Sequence, residues 1–410
     1  MLLAQAAVYG DPLYADGIGL PQVLITILKV VVCFAFLLIA TMFMVWFERK
    51  VIAGMQNRIG PNRAGPFGIL QTLADGIKAF FKEPILPDRA DRGVFRLAPY
   101  LAFVPAFLIF TVVPIGGDFT DHHDGIISIA GYKTFLQVAD PPVGILFVLA
   151  LSSIAVYGVM LAGWSSGSKY PLLGSVRATA QMVSYEAALG LSVAAVLLVS
   201  GTLSTHGIVL GQSSMKDWNI VATGLLPFVV FVIAATAELN RPPFDLVEAE
   251  QELVGGFHTE YSSIGFALFY LAEFMNTVTM SCIIVTLFLG GPQPVAGIDL
   301  PIIPGAIAGL IWFFLKVFIF LFMYVWFRAT LPRFRYDQLM DLGWKVMIPV
   351  AFGWFLFLTT LRVTTDLGWT KAGRFGAGAG AVAVACVGYG LFLAALRVAS
   401  RQRQLRGSMY

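Results

Sequence analysis

The feature that most constrains this chain is a series of apolar runs, each about as long as the 20 residues a helix needs to cross a bilayer. Nine such runs stand at 21–47, 97–116, 142–163, 178–201, 219–239, 262–290, 303–328, 346–362 and 374–397. In hydrocarbon every backbone polar group must be satisfied internally, so the expected fold class is an all-α polytopic membrane protein. Only 12% of the 410 residues are charged, against roughly a quarter in soluble domains. The first 20 residues lack the basic start and cleavage site of a signal peptide, so the first run is expected to persist as a helix. No soluble domain and no internal or inverted repeat of the transporter kind is seen.

Lys and Arg are divided unevenly between alternate loops, 20 on one side against 5 on the other. Retained positive charge marks the cytoplasmic side, which places the N-terminus outside and the C-terminus inside. Cys33, Cys282 and Cys386 stand singly in apolar stretches, without the spacing of a zinc or iron–sulfur site. His122, His123, His206 and His258 fall outside the apolar cores, so no haem ligand pair is evident and no redox centre is expected in the chain.

The chemistry concentrates in two inside loops and in acids within spans. After Glu48-Arg49-Lys50 and a Gly/Pro-rich segment containing Arg58, apolar Leu70, Leu73, Ile77, Phe80 and Phe81 share one helical face, while Gln71, Asp75, Lys78 and Lys82 share the other. That is an amphipathic helix ending near Pro84, lying in the membrane surface or across the feet of the spans. For Glu48, Arg49, Asp75 and Lys78 an interfacial anchor and a functional role are both open. The loop 237–261 holds six acids, Glu238, Asp245, Glu248, Glu250, Glu252 and Glu260, with one arginine, Arg241, on the side where basic residues are expected. Pro242 and Pro243 break the span, and a helix restarting at Phe244 puts Asp245, Glu248 and Glu252 on one face. Stacked like charges raise one another's pKa values, which suits proton handling, although partner docking is an alternative. Glu186 and Glu273 lie inside spans, where a carboxylate costs several kcal/mol and normally faces an ion or proton path. Lys316, also inside a span, is the candidate basic partner for these acids, and Lys29 is free to snorkel to the interface.

Together these blocks resemble one family, the quinone-tunnel membrane subunits (the H subunits) of bacterial respiratory complex I, the proton-pumping NADH:quinone oxidoreductase. The matching stretches are ERKVIAGMQNRIGPNRAGPFGILQTLADGIKAFFKEP at 48–84, AGWSSGSKYPLLGSVRATAQMVSYE at 162–186, AELNRPPFDLVEAEQELVGGFHTEYSS at 237–263, LAEF at 271–274 and RATLPRFRYDQLMDLGWK at 328–345. The resemblance implies an eight-helix core with the amphipathic helix after the first span. It implies a narrow quinone tunnel opening between span 1, the amphipathic helix and span 6, with Glu48, Arg49, Arg58, Asp75, Lys78, Arg241 and Phe244 in tunnel or gating roles. It also implies a proton path of Glu186, Glu238, Asp245, Glu248, Glu250, Glu252, Glu260 and Glu273. Quinone, ubiquinone or menaquinone, is then the substrate bound, and flavin and iron–sulfur clusters belong to other subunits. The implied partners are the peripheral quinone-site subunits, the small and antiporter-like membrane subunits, and lipid in the bacterial cytoplasmic membrane, with no nucleic acid.

Three features depart from that family. A ninth span near 374–397, containing Gly376-Ala377-Gly378-Ala379-Gly380, makes 364–410 an addition to a core domain of 1–363. The loop 117–141 is long and carries His122 and His123 beside Asp118, Asp121 and Asp124, read as a solvated loop rather than a metal site. The basic tail suits contact with anionic lipid. An ion-coupled transporter and a passive anchor for a peripheral enzyme are the competing readings; missing repeats count against the first, and the buried acids are unexplained by the second.

Overall fold

The computed structural model describes residues 10–15, 17–119, 124–246, 254–295 and 304–407. Its helices are α1 (Leu20–Met55), amphipathic α2 (Gln71–Phe81), α3 (Arg92–Phe110), α4 (Gly144–Ser165), α5 (Lys169–Ser200) and the short α6 (Thr205–Leu210) and α7 (Asn219–Ala222). There follow α8 (Leu225–Glu238), α9 (Ser263–Phe288), α10 (Gly305–Thr330), α11 (Tyr336–Asp366) and α12 (Lys371–Gly407). One hairpin, β1 (Ile126–Ile129) with β2 (Tyr132–Phe135), is the sheet among the described residues. Seven helices, α1, α3, α4, α5, α9, α10 and α11, are long and apolar enough to cross a membrane. The protein is thus an all-α polytopic membrane protein.

Helix α9 is the axis of the bundle, with most of its side chains buried among α1, α3 and α10. Thr277, Ser281 and Thr286 return their hydroxyls to carbonyls one turn back, at 2.8–2.9 Å, which satisfies these three hydroxyls within the helix. Helices α3 and α4 approach closely because α4 presents Gly158 to Ala102: a Cβ there would lie 2.7 Å from the Ala102 nitrogen.

Several boundaries differ from the apolar runs, each for a physical reason. Helix α1 continues eight residues beyond Phe47, because the charged Glu48-Arg49-Lys50 ends hydrophobicity and not helicity. The expected span 219–239 is divided at Thr223–Gly224, where Gly224 takes φ +80° and Trp354 Nε1 donates to the Thr223 carbonyl at 2.8 Å. The 14 residues of α8 therefore rise only about 21 Å, short of the roughly 30 Å hydrocarbon core. Helix α11 starts ten residues early and contains a π-helical stretch, Leu342–Met347. Helix α12 packs on α11 where Gly378 faces Phe357. Among the described residues, Phe244–Leu246 form an irregular turn, in which the Phe244 and Leu246 amides bond locally to the Arg241 and Phe244 carbonyls, and the rest of the helix expected from Phe244 lies outside them. Glu248, Glu250, Glu252, His122, His123 and Asp121 lie outside the described residues.

The two lysines within spans have structural partners. Lys29 Nζ lies 2.8 Å from Asp11 and 3.0 Å from Thr134. Lys316, expected to face the acids, instead donates to the carbonyls of Leu289, Gly291 and Gln293 at 2.7–2.9 Å and stands 4.7 Å from the Trp218 ring centroid. It thereby satisfies the carbonyls of the turn that follows α9. A buried carbonyl left without a donor costs about 1–3 kcal/mol, so Lys316→Met should lower the thermal midpoint of the purified protein by several degrees. An unchanged midpoint would remove Lys316 from that role.

His206 is buried at the start of α6, its ring 3.8 Å from that of Phe135 on β2. Burial pushes its pKa down to about 4, against smaller upward pulls from Asp124 and Asp11. A histidine with a depressed pKa contributes stability above its unfolded value near 6.5 and loses it as pH falls toward 4. Hydrogen exchange across 126–135 should accelerate between pH 6.5 and 4, and His206→Phe should abolish that dependence.

Candidate functional site

The site begins where α1 outlasts its apolar run. The extra turns carry Glu48 into the bundle, where its carboxylate accepts from two arginines. Arg241 Nη1 donates to Oε2 at 2.8 Å, and Arg328 Nη1, from the last turn of α10, pairs with Oε1. Arg241 also faces Glu273 of α9, Nε to Oε1 at 3.2 Å, and its guanidinium lies 4.3 Å from the Phe274 ring centroid. These four ionisable groups, two acidic and two basic, sum to zero formal charge. Glu48 and Arg241 are buried and Glu273 and Arg328 half-buried, which the balance of charge makes tolerable, and a change in the charge of one is felt by the others.

Arg241 is fixed by the turn after α8. Gln181 of α5 donates through Nε2 to the carbonyls of Ala237 and Phe244, at 2.7 and 3.0 Å, clasping both ends of the turn. Phe244 is buried, with ring centroids 5.3 Å from Tyr185 and 5.5 Å from Phe334. Asp245, also buried, pairs with Arg333 at 3.0 Å.

The outer rim is the half-exposed pair Arg49–Asp75, at 2.7 Å, with Gln71 steadying Asp75 at 3.1 Å. Helix α2 is clasped to α1 by Thr72 bonding to the Met42 carbonyl and to the start of α9 by Ser263 bonding to the Ala79 carbonyl. Its apolar residues Leu73, Ile77, Phe80 and Phe81 point outward, as an interfacial helix requires. Lys78 is exposed one turn beyond Asp75, and Arg58 is exposed and bonds to Gln56 at 2.7 Å.

Beyond Glu273 a partly open cavity of about 70 Å³ continues toward Glu238, lined also by Asn240, His258, Tyr270 and Asn276. Burial holds the His258 imidazole below its ordinary pKa. The cavity's polar lining and size suit a few waters. A smaller cavity, about 20 Å³, adjoins Glu238 and adds Ser152 and Thr279. Glu186 of α5 follows, hydrogen-bonded by the Ser153 hydroxyl and felt electrostatically by Glu238. The structure therefore brings Glu48, Arg241, Glu273, Glu238 and Glu186 into one succession and sets Arg49–Asp75 at its rim. Glu260, half-buried in the turn after His258, does not line the cavity, and neither do Arg58, Lys78 or Phe244.

Sequence reasoning misses Arg328, Arg333, Asn276, Ser152 and Ser153. Arg328 carries a signal, since it closes an apolar run as Glu48 opens a charged one, but in sequence it reads as loop charge. Nothing distinguishes the serines and Asn276 from ordinary helix polar residues. Among the described residues, no group of three His, Cys, Asp or Glu side chains is placed to hold a metal ion.

Removing one member of a buried ion pair costs about 3–5 kcal/mol. Arg241→Met should therefore lower the thermal midpoint of the purified protein strongly, whereas Arg58→Ala, at an exposed position, should leave it unmoved. Equal effects would contradict the burial of the cluster.

The family model described as NADH dehydrogenase matches residues 28–359. The NADH-quinone oxidoreductase H subunit of Frankia casuarinae is 55% identical over 345 residues, 82% of this chain and 72% of its own length. That of Frankia alni is 53% identical over 368 residues, 88% and 78%, and that of Streptomyces avermitilis 50% identical over 346 residues, 82% and 73%. With these similarities and its spanning helices, the chain belongs to the NADH dehydrogenase family, in the H-subunit group of bacterial complex I membrane proteins.

Proposed function

We propose that this chain forms most of the quinone-access tunnel of an NADH:quinone oxidoreductase and couples quinone reduction to proton translocation without carrying a redox centre. The observation that carries this reading is the succession Glu48, Arg241, Glu273, Glu238 and Glu186, linked by direct ion pairs, a cavity of about 70 Å³ and serine hydroxyls. Reduction of a quinone near the rim creates negative charge or draws protons, and a partly buried cluster of balanced charge responds by shifting the protonation of its carboxylates. Asp245 stands beside the cluster through Arg333, and Glu248, Glu250, Glu252 and Glu260 extend the proposed path along the loop. Arg49, Arg58, Asp75, Lys78, Arg241, Phe244 and Glu48 guide the quinone headgroup, with the outward apolar face of α2 meeting its tail or the lipid.

In this reading the tunnel is completed by peripheral quinone-site subunits, which bring the flavin- and cluster-linked electrons, and the response passes to small and antiporter-like membrane subunits. The 20 to 5 distribution of Lys and Arg supports an outside N-terminus and a cytoplasmic C-terminus. The family match ends at 359, which supports 1–363 as the core domain and 364–410 as an added helix and basic tail contacting lipid or an accessory subunit.

The test is quinone reduction by the tagged chain purified with its partners, driven by NADH or by hydrogen. NADH-driven, inhibitor-sensitive turnover is expected; hydrogen-driven turnover would move the chain to a related enzyme, and a lone colourless chain would overturn the reading. In the NADH-driven complex, Arg49→Ala should raise the apparent KM for quinone severalfold, and an unchanged KM would remove Arg49 from the tunnel. Glu186→Gln should lower protons pumped per electron while the complex still assembles; full pumping would remove Glu186 from the path.

A further inference from the structure

Arg241 serves two carboxylates through different nitrogens, Glu48 from Nη1 at 2.8 Å and Glu273 from Nε at 3.2 Å. Arg328 meets Glu48 at Oε1, the oxygen opposite the one that Arg241 engages. The chain after Arg328 is fastened to the very turn that carries Arg241. The Phe334 amide donates to the Pro243 carbonyl at 3.0 Å, the Phe334 and Phe244 rings pack at 5.5 Å, and Arg333 holds Asp245 at 3.0 Å. Residues 328–335 thus keep Arg328 and Arg241 in a fixed relation across Glu48.

A guanidinium attracted by two carboxylates settles according to how far each is already neutralised. We propose that Arg328 is a positioning residue that divides Arg241 between Glu48 and Glu273: by holding one oxygen of Glu48, it leaves Arg241 free to engage Glu273. This rests on the reading above, in which Glu48 and Glu273 belong to one coupling path. Arg328 therefore acts through Arg241, and its influence must end at Glu273. A lysine cannot replace it fully, because an ammonium lacks the planar fork that fixes direction toward a carboxylate.

The test is a double-mutant cycle in the assembled, NADH-driven complex, using Arg328→Gln, Glu273→Gln and both. Arg328→Gln is expected to lower kcat at least threefold with the quinone KM within twofold of the parent, Arg328→Lys to recover part of that loss, and the double variant to turn over like Glu273→Gln alone. Losses that multiply in the double variant, an unchanged kcat in Arg328→Gln, or a loss confined to KM would each overturn the proposal. If Arg328→Gln does not assemble, the cycle is run with Arg328→Lys, expecting a smaller loss that again vanishes beside Glu273→Gln; multiplying losses there overturn it equally. Absence of NADH-driven turnover in the parent complex would instead refute the function proposed above.

Discussion

The contact on which the site depends is the sharing of one buried guanidinium, Arg241, between Glu48 and Glu273, with the Phe274 ring beneath it. An arginine in this setting stands only if its charge is met from several directions, since desolvation otherwise exceeds the Coulombic gain. Three helices and a turn converge to meet that requirement: α1 brings Glu48, α9 brings Glu273 and Phe274, and α10 brings Arg328, around the turn after α8. Each contributes through its end or through a polar face, so this end of the bundle is closed by charge.

The remaining polar features fall into two kinds. Some stabilise the fold: Lys316 holds the turn after α9, Gln181 clasps the turn that bears Arg241, and Lys29 reaches Asp11 and Thr134. Others form the succession from Glu273 through the small cavity to Glu238 and Glu186. What separates them is satisfaction. The three protons of the Lys316 ammonium are all directed at carbonyls, whereas Glu273 and Glu238 meet across a small polar-lined cavity.

Much of this is legible in the sequence because charge within hydrocarbon is conspicuous. Glu186 and Glu273 stand out against their runs, the α2 face is readable from its periodicity, and the proline pair ends α8 near its expected limit. Helix limits are less legible where the hydropathy signal and the backbone part company. Glu48 and Arg49 end the apolar run while α1 continues, and Gly224 divides an apolar stretch that reads as one span. Lys316 misleads for a related reason: sequence shows a cation amid apolar residues, but the carbonyls that hold it are backbone groups without a sequence signature. Arg328 and Arg333 are visible as charges, yet their targets depend on the path of residues 328–335 across the bundle.

The account's central claim is that Glu273, Glu238 and Glu186 respond together to the state of the quinone. Redox-difference infrared spectroscopy on the NADH-driven complex, comparing the parent with Glu238→Gln, tests it most directly. The account predicts a carboxyl band that changes on quinone reduction in the parent and is diminished beyond the share of a single acid when Glu238 is replaced. An identical difference spectrum in the two proteins would contradict it.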